Sequence, residues 1–239
     1  MNILITGGAS GLGAAIVKLL AKDSGNTIFL TYANSASAAK ELEATYTNTQ
    51  AIHCDFNDTS SVDTTVSKLS SLDIDILINN ASGSIHKEHF YKTNPDVFLH
   101  SFQQNIIPTL RITQEAIKGF RKKKTGKIIN IISSAVINKP PIGWGSYVAN
   151  KAYLLAMSKV WATEYIKFNV TSNCVSPSFM LTELNKDTDE RVVEQIVEDH
   201  PLKKLLTVDE VAEAVAYFVS ASPHVNGTNL VLNAGADLA

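Results

Sequence analysis

Short apolar segments alternate with longer segments of helical periodicity along almost the whole chain. The apolar runs begin with NILIT at residues 2–6 and end with TNLVLN at residues 228–233. Near-continuous apolar strands that alternate with helices are typical of a parallel sheet, because parallel strands are joined by helical crossovers that cover both faces. We therefore expect an α/β fold of about seven parallel strands between two helical layers, which is a doubly wound arrangement.

Helix boundaries are marked at several places. Asn94 followed by Pro95 predicts the start of a long helix that runs to about residue 122. Thr207 followed three residues later by Glu210 predicts a capping box. Residues 146–165 have the periodicity of an amphipathic helix.

The composition is that of an ordinary globular protein, with 239 residues, 45% of them hydrophobic, and a net charge of −2. No linker, repeat or low-complexity segment interrupts it, so we expect a single domain over residues 1–239.

The charge gives no field that would recruit nucleic acid or an anionic membrane. No apolar run is long enough to cross a bilayer. A strand from the second residue leaves no room for a signal peptide, and we expect a cytoplasmic protein.

Three minor features receive the simplest interpretation. The basic run of residues 121–124, with Lys127, is expected to be a solvated turn. His86 and His89 have no third ligand visible in the sequence, so we expect no metal site. Cys54 and Cys174 each end an apolar run and are expected to be buried, reduced thiols.

A glycine-rich turn follows the first strand. ITGGASGLGAA at residues 5–15 contains Gly7, Gly11 and Gly13 immediately before the first helix. Glycine permits positive φ and a close approach of the backbone to a ligand. The start of the following helix offers unpaired N–H groups and a positive dipole end to a pyrophosphate. The turn therefore predicts dinucleotide binding, whereas a turn that binds nothing is the simpler alternative.

Tyr147 and Lys151 stand four residues apart, which places them on one face of a helix. Together with the glycine turn, this pair resembles the short-chain dehydrogenase/reductase family. Further motifs follow in the family's order: Asp55 closes the third strand, NNAS occupies residues 79–82, Asn105 lies in the long helix, Ser134 precedes Tyr147 by thirteen residues, and SPSFMLTE occupies residues 176–183.

The resemblance implies a Rossmann-like fold with strand order 3-2-1-4-5-6-7 and an NAD(P)(H)-dependent interconversion of a carbonyl and a secondary alcohol. The expected cofactor contacts are Thr6, Gly7, Gly11, Leu12, Gly13, Tyr32, Asn34, Ser35, Asp55, Phe56, Asn80, Ala81, Tyr147, Lys151, Pro177 and Thr182. The expected substrate contacts are Ser134, His86, Trp144 and Met180.

Four residues are the catalytic candidates. Tyr147 would donate the proton to the developing alkoxide, and the Lys151 ammonium and the positive ring of the oxidised cofactor would lower its pKa. Ser134 would hydrogen-bond the substrate oxygen beside Tyr147. By resemblance, Asn105 would hold a water that passes protons to Lys151, which in the family also binds the nicotinamide ribose.

The chain departs from the family's pattern at two glycines. Ser82 and Ser178 stand where the family usually has glycine, which suggests altered backbone angles there. Residues 182–200 are charged and loosely patterned, and we expect them to form a cover over the site.

The end of the second strand indicates which cofactor is used. An acid at this position binds the ribose 2′-hydroxyl in NAD enzymes, and FLTYANSAS at residues 29–37 contains none. Tyr32, Asn34, Ser35 and Ser37 could instead hydrogen-bond a 2′-phosphate. NADP(H) is therefore favoured over NAD(H).

Substrate and partners are less constrained. The general likeness is to 3-oxoacyl carrier-protein reductases, and Lys124 and Lys167 lie where basic residues could dock an acyl carrier protein. Phe168 stands where such enzymes often have arginine, so this partner is weakly indicated and a free small ketone stays open. A catalytically silent dinucleotide sensor is the alternative function. By resemblance, we expect a homo-oligomer, most often a tetramer, with the long helices and the C-terminal segment in its contacts.

Overall fold

The computed structural model describes residues 1–137, 139–183 and 185–236. Seven parallel strands form one sheet in the order β3-β2-β1-β4-β5-β6-β7, which confirms the predicted strand order. The strands are β1 (Asn2–Ile5), β2 (Thr27–Tyr32), β3 (Thr49–His53), β4 (Ile76–Asn79), β5 (Gly126–Ile131), β6 (Val170–Pro177) and β7 (Asn229–Leu232).

Helices connect the strands and cover both faces of the sheet. They are α1 (Gly11–Leu20), α2 (Ala36–Thr45), α3 (Thr59–Leu69), α4 (Pro95–Lys123), α5 (Gly145–Tyr165), α6 (Glu190–Asp199) and α7 (Val208–Ser220), with 3-10 turns at Ser134–Val136 and Ile166–Phe168. One core cluster includes side chains of α1, α2 and α7, and the other includes side chains of α3, α4 and α5. The predicted three-layer α/β architecture is confirmed.

Strand β1 shows why the apolar runs are continuous rather than alternating. Ile3, Leu4 and Ile5 are each fully buried. Ile3 and Ile5 belong to the core under α1 and α7, whereas Leu4 belongs to the core under α4 and α5. Successive strand side chains point to opposite faces, so a strand that is covered on both sides needs apolar residues at every position.

Both predicted helix starts are confirmed. The Asn94 side chain accepts a hydrogen bond from Asp96 N at 2.9 Å, with Pro95 in the first turn. Thr207 and Glu210 form the complete capping box, in which each side chain accepts from the other residue's backbone N–H. Cys54 and Cys174 are free and buried, as predicted.

Two sequence interpretations were wrong in detail. The buried side of α5 is not an apolar stripe, because Ser146, Asn150, Lys151 and Ser158 lie on it. The basic run is also not simply solvated. Lys127 Nζ donates to Val219 O and to Ala221 O at 2.6 and 2.7 Å, which satisfies carbonyls at the end of α7.

The strand order places a crevice at the carboxyl edge of the sheet. From β1, the chain continues to β2 on one side, while β4 pairs with β1 on the other side. Ligands of doubly wound proteins bind at such a point, where neighbouring connections leave in opposite directions. Among the helices of the described ranges, none is long and apolar enough to cross a membrane.

Candidate active site

A cavity of about 1130 Å³ opens at this edge, above the carboxyl ends of β1, β4, β5 and β6. It is larger than the roughly 300–1,000 Å³ typical of small-ligand pockets, so it has room for a dinucleotide and a second small molecule. The predicted site residues that line it are Gly7, Gly11, Leu12, Gly13, Tyr32, Asn34, Ser35, Asp55, Phe56, Asn80, Ala81, Ser134, Trp144, Tyr147, Lys151, Pro177, Met180 and Thr182.

The glycine turn is shaped by positions that accept no side chain. Gly7 and Gly11 have φ of +64° and +49°, a region that favours glycine. A Cβ on Gly13 would lie 2.0 Å from the carbonyl oxygen of Gly7, so α1 must begin directly against the turn. Ser10 precedes α1 without a side-chain cap, and the first turn contains no acid. This leaves the N-terminal N–H groups and the positive dipole end available to an anion.

Thr6 does not line the cavity but supports the glycine turn through hydrogen bonds. Its buried hydroxyl accepts hydrogen bonds from the backbone N–H groups of Asn80 and Ala81, both at 3.0 Å. The Asn80 amide in turn donates to the carbonyls of Thr6 and Gly7 at 2.9 and 3.1 Å. The glycine turn and the end of β4 are therefore one hydrogen-bonded unit, in which Thr6 has a supporting position.

Tyr147 lies in the first turns of α5, close to the side chains of Trp144, Lys151 and Ser133. Its ring meets Trp144 edge to face at a centroid distance of 5.5 Å. The Lys151 ammonium lies 5.7 Å from the ring centroid. Burial raises the pKa of Tyr147, and the neighbouring Ser133 hydroxyl offsets only part of this rise. The predicted fall in the Tyr147 pKa is thus not found in the protein alone, because desolvation outweighs the favourable contacts.

Two neighbouring serines lie at this end of the cavity, the predicted Ser134 and Ser133. Ser134 begins the 3-10 turn, whereas Ser133 caps that turn by accepting from Ala135 N at 3.2 Å. Ser133 is a further candidate that the sequence analysis did not consider.

Lys151 is buried against the end of β5. Its ammonium donates to Ile131 O at 2.8 Å, and the side chain is only 7% exposed. Burial lowers the pKa of Lys151 to about 8, because the charged form loses its hydration. The nearby Cys174 thiol has its own pKa raised to about 11 by burial. Lys151 is therefore a buried amine that changes its charge close to physiological pH.

Asn105 lies outside the main cavity, in α4. Its amide oxygen accepts from Gly83 N at 2.6 Å, and its amide nitrogen donates to Ser101 O at 2.8 Å. Asn105, Tyr147 and Lys151 all line a second cavity of about 20 Å³. One water molecule needs at least about 10–15 Å³ and two or more polar partners. A cavity with the volume of one water therefore lies beside all three side chains, and the role of Asn105 stays a prediction.

The loop after β6 forms another wall and is organised by a residue that the sequence analysis missed. Asn185 is buried, and its amide oxygen accepts from Thr182 N at 2.8 Å while its nitrogen donates to Met180 O at 2.8 Å. The Thr182 side chain faces the glycine turn, 3.5 Å from the point where a Cβ on Gly11 would lie. A run of Asn and Asp in residues 185–189 was the available signal, since these side chains hydrogen-bond nearby backbone.

The two glycine departures do not strain the backbone. Neither Ser82 nor Ser178 is among the described residues with positive φ, so the suggested altered angles have no left-handed component there. The Ser178 hydroxyl lines the main cavity and is buried, yet it has no hydrogen-bond partner among the described residues. A buried hydroxyl without a partner is costly, which marks this wall as one that a polar ligand group would complete.

The opposite end of the cavity is formed by the ends of β2 and β3. Asp55 Oδ1 accepts from Asn57 N at 2.9 Å, and Phe56 packs on the core. Ser35 precedes α2 without making a side-chain cap, and the first turn of α2 contains no acid. With Tyr32 and Asn34, this gives a polar surface without a carboxylate at the end of β2.

The predicted substrate contacts are only partly brought together. Trp144 and Met180 line the cavity, whereas His86 does not. The His86 imidazole instead lies 3.3 Å from a carboxylate oxygen of Glu88, and its side chain is half exposed. A substrate contact by His86 is therefore not supported, because its neighbours Ile85 and Lys87 occupy the cavity wall.

These features fit a nicotinamide dinucleotide. The glycine turn leaves a cradle that the backbone alone lines, with two uncapped helix N-termini near it. The wall after β6 contributes Ser178, whose buried hydroxyl has no partner among the described residues, and Thr182, whose side chain faces Gly11. Among the described residues, no group of three or more His, Cys, Asp or Glu could hold a metal ion.

Comparison with known proteins agrees with this geometry. The family model described as Enoyl-(Acyl carrier protein) reductase matches residues 7–237. Similar curated proteins include the 3-oxoacyl-(acyl-carrier-protein) reductase of Vibrio harveyi, 28% identical over 97% of this chain and 95% of the relative. The acetoacetyl-CoA reductase of Shinella zoogloeoides is 30% identical over 97% of this chain and 96% of the relative.

A similar solved structure is that of a short chain dehydrogenase from Burkholderia cenocepacia in complex with NADP. It has a TM-score of 0.86 and 26% identity, and the match covers 98% of this chain and 97% of that chain. Fold, cavity and comparisons together define a dinucleotide-dependent oxidoreductase. The chain belongs to the short-chain dehydrogenase/reductase family.

Two glycine substitutions test the packing of the turn. Gly13→Ala should destabilise the protein by roughly 1–3 kcal/mol, because the methyl group would overlap the Gly7 carbonyl and force the backbone apart. Gly119→Ala in α4 meets nothing within 4 Å and should stabilise by up to about 1 kcal/mol through helix propensity. Urea unfolding of both variants measures the difference, and an equal effect at the two positions would contradict this account.

The buried ammonium predicts a pH-dependent stability. Between the folded pKa of about 8 and the ordinary value of 10.5, the unfolded chain binds the proton that folded Lys151 releases, so stability rises with pH. The stability of the wild type minus that of Lys151→Met should therefore rise by about 1 kcal/mol from pH 7.5 to pH 9.

Urea unfolding at several pH values measures this difference, and the exposed Lys118→Met variant serves as the control that leaves the profile unchanged. A difference that is flat or falls with pH would show that Lys151 is not a destabilising buried charge. Above about pH 9 the raised pKa of Cys174 adds the opposite slope in both proteins, so this contribution cancels in the difference.

Proposed function

We propose that this oxidoreductase interconverts a ketone and a secondary alcohol, with Tyr147 as the proton donor and acceptor. The observation that supports it most directly is the grouping of Tyr147, Ser133 and Lys151 at one end of a cavity whose other end is a glycine-turn cradle. When bound, a nicotinamide dinucleotide supplies the hydride for the carbonyl carbon. The carbonyl oxygen gains the proton, so the ketone becomes an alcohol and the charges balance.

Tyr147 is suited to be the acid of the reduction. Its raised pKa keeps the phenol protonated at neutral pH, and its hydroxyl is held beside Ser133 at the cavity wall. A carbonyl oxygen in contact with both hydroxyls would be polarised by one and protonated by the other. In the reverse direction, the same raised pKa means that oxidation of the alcohol is favoured by alkaline pH.

Lys151 supports the proton transfer through its charge and through its position at the second cavity. Its ammonium, 5.7 Å from the phenol ring, favours the phenolate that remains after the proton has left. The cavity of about 20 Å³ that Lys151 shares with Asn105 provides a route by which one water could return a proton to Tyr147. Lys151 also faces the main cavity, where it would bind the ribose of the dinucleotide.

A silent dinucleotide sensor is the less supported alternative. The proposed catalytic groups are all present and mutually close, whereas a sensor needs only the glycine turn. Relatives named in the comparisons are reductases, which gives no support to a regulatory function.

Removal of single hydroxyl groups tests the assignment. Tyr147→Phe retains the ring that packs on Trp144 and should lower ketone reduction by roughly 10²–10⁴-fold, because the acid is gone. Ser133→Ala should lower kcat by about 10²–10³-fold, the usual loss for one oxyanion donor. Steady-state assays with NADPH measure both.

Ser134→Ala is the matched variant, because Ser134 is the serine predicted from the sequence and also lines the cavity. If Ser133 holds the substrate oxygen, Ser134→Ala should keep nearly full activity. Loss of activity in Ser134→Ala but not in Ser133→Ala would restore the serine chosen from the sequence and refute the structural assignment. Fluorescence titration with NADPH should show that Tyr147→Phe still binds the cofactor.

We propose NADP(H) as the preferred cofactor. The end of β2 presents Tyr32, Asn34 and Ser35 to the cavity without a carboxylate, and Ser35 is not used as a helix cap. A related short chain dehydrogenase was solved in complex with NADP, which supports the same preference.

A new carboxylate should reverse the preference. Asn34→Asp should raise the KM for NADPH by about tenfold or more through repulsion of the 2′-phosphate, and the KM for NADH should change little. Comparison of the two Michaelis constants in wild type and variant is the measurement. A wild type that already prefers NADH would contradict the proposal.

Assembly and partners stay predictions. Leu99 and Ile107 on α4 and Val160 on α5 are exposed apolar residues, which supports a homo-oligomer joined through these helices. Light scattering that shows a monomer at micromolar concentration would contradict it. The predicted contribution of the C-terminal segment falls partly on residues 237–239, outside the described residues.

Buried free thiols support the predicted cytoplasmic location, which fractionation would test.

The acyl carrier protein remains the weakly indicated partner. Phe168 lies between the Arg121 guanidinium at 5.0 Å and the Lys167 ammonium at 5.3 Å, so both cations cover its ring. Positive charge is therefore present beside the position where carrier-protein reductases often have arginine, and a free ketone stays the alternative substrate.

A further inference from the structure

Two lysines line the main cavity but have no part in the proposed proton transfer. They are Lys87, in the segment after β4, and Lys139, in the loop before α5. Among the ion pairs of the described residues, neither lysine takes part in any. Two uncompensated positive charges at a catalytic cavity raise the local concentration of anions.

The two lysines belong to one continuous wall. Glu88 N, next to Lys87, donates to Gly143 O at 3.0 Å and so joins the two segments. Gly143 has φ of +82°, and a Cβ there would lie 3.3 Å from Glu88 N. The close approach of the segments therefore needs glycine, and it fixes the chain that bears Lys139 beside the chain that bears Lys87.

Lys87 is also placed relative to the proton donor. Its ammonium lies 5.5 Å from the centre of the Trp144 ring, and the Trp144 ring lies 5.5 Å from that of Tyr147. A cation held over an aromatic face keeps its charge and its free N–H donors. The Trp144 ring is thus a common neighbour of this charge and of the reacting phenol.

Four acids also line the cavity: Asp55 after β3, and Glu183, Asp187 and Asp189 in the segment before α6. Glu183 pairs with Lys186 at 2.9 Å, Asp189 accepts from Arg191 N at the start of α6, and Asp187 lies near the Lys186 ammonium. The Lys186 ammonium therefore offsets part of the negative charge of this segment, whereas Lys87 and Lys139 have no ion-pair partner among the described residues. The lining also includes the apolar residues Ile142, Phe179, Met180, Val192 and Ile196.

We propose that the substrate is a ketone with an anionic group, which Lys87 and Lys139 bind while the carbonyl lies at Tyr147. This inference rests on the function proposed above and specifies its substrate class. The anionic group is the carboxylate of a small oxo acid or a phosphate of a coenzyme thioester. Both are recognised by the same charge-assisted hydrogen bonds from ammonium groups.

Two pairs of ketones test the proposal, each with an anionic and a neutral member. Acetoacetate is paired with ethyl acetoacetate, and acetoacetyl-CoA with the acetoacetyl thioester of N-acetylcysteamine. In the Lys87→Gln/Lys139→Gln double variant, kcat/KM for the anionic member of a pair should fall roughly 10- to 100-fold, as expected for lost charge-assisted contacts. The neutral member should change less than about twofold. A loss confined to the first pair identifies the carboxylate, and one confined to the second identifies the phosphate.

Lys92→Gln is the matched control. Lys92 belongs to the same segment as Lys87 and also lies over an aromatic ring, that of Tyr91 at 5.4 Å, but it does not line the cavity. This variant should behave as wild type, and Lys87→Arg/Lys139→Arg should retain most of the anion preference. Equal changes for anionic and neutral ketones in both pairs would overturn the proposal.

The experiments distinguish a failure of the anion-binding proposal from a failure of the proposed function. If the wild type reduces the neutral ketones and Tyr147→Phe does not, the reaction stands whatever the lysine variants show. If no ketone is reduced and Tyr147→Phe matches the wild type, the function itself fails. Inhibition of ethyl acetoacetate reduction by butanoate measures anion binding without turnover of an anionic ketone. This inhibition should weaken in the double variant and at high salt.

Discussion

The contact between the Lys151 ammonium and the carbonyl of Ile131 connects the catalytic helix to the sheet. It joins α5 to the end of β5 at the level where Ser133 meets Tyr147, so the phenol, the hydroxyl and the amine have one common reference point. Beneath them, a buried polar cluster of Asn130 and Ser158 links the same two elements. A small shift of α5 would therefore disturb all three groups at once.

Burial has opposite effects on the two ionisable groups of the site. It raises the pKa of Tyr147 and lowers that of Lys151, because in each case the neutral form is favoured. The phenol is thereby kept as an acid, while the amine is poised to exchange a proton near neutral pH. The same desolvation reduces the stability of the fold, which is a typical compromise at active sites.

The sequence predicted the parts of the structure that depend on local pattern. Continuous apolar strands, the Thr207 capping box and the glycine turn each follow from the period or conformation of a few neighbouring residues. The places of Ser133, Ser134 and His86 depend on loop geometry, where one residue changes which side chain enters the cavity, so the sequence pattern alone does not fix them. The pKa of Tyr147 depends on the burial contributed by distant elements, which no local pattern contains.

The cavity is divided into parts that recognise different charges. Toward the dinucleotide, the turn at Gly7 to Gly13 offers backbone N–H groups and a helix dipole, which bind a phosphate without any basic side chain. Toward the proposed substrate position, Lys87 and Lys139 would offer ammonium groups on long, flexible side chains instead. Fixed dipoles suit a cofactor that always binds in one geometry, whereas flexible lysines tolerate anions at different distances from the carbonyl. The sheet edge thus separates a rigid site for the common reactant from an adaptable site for the variable one.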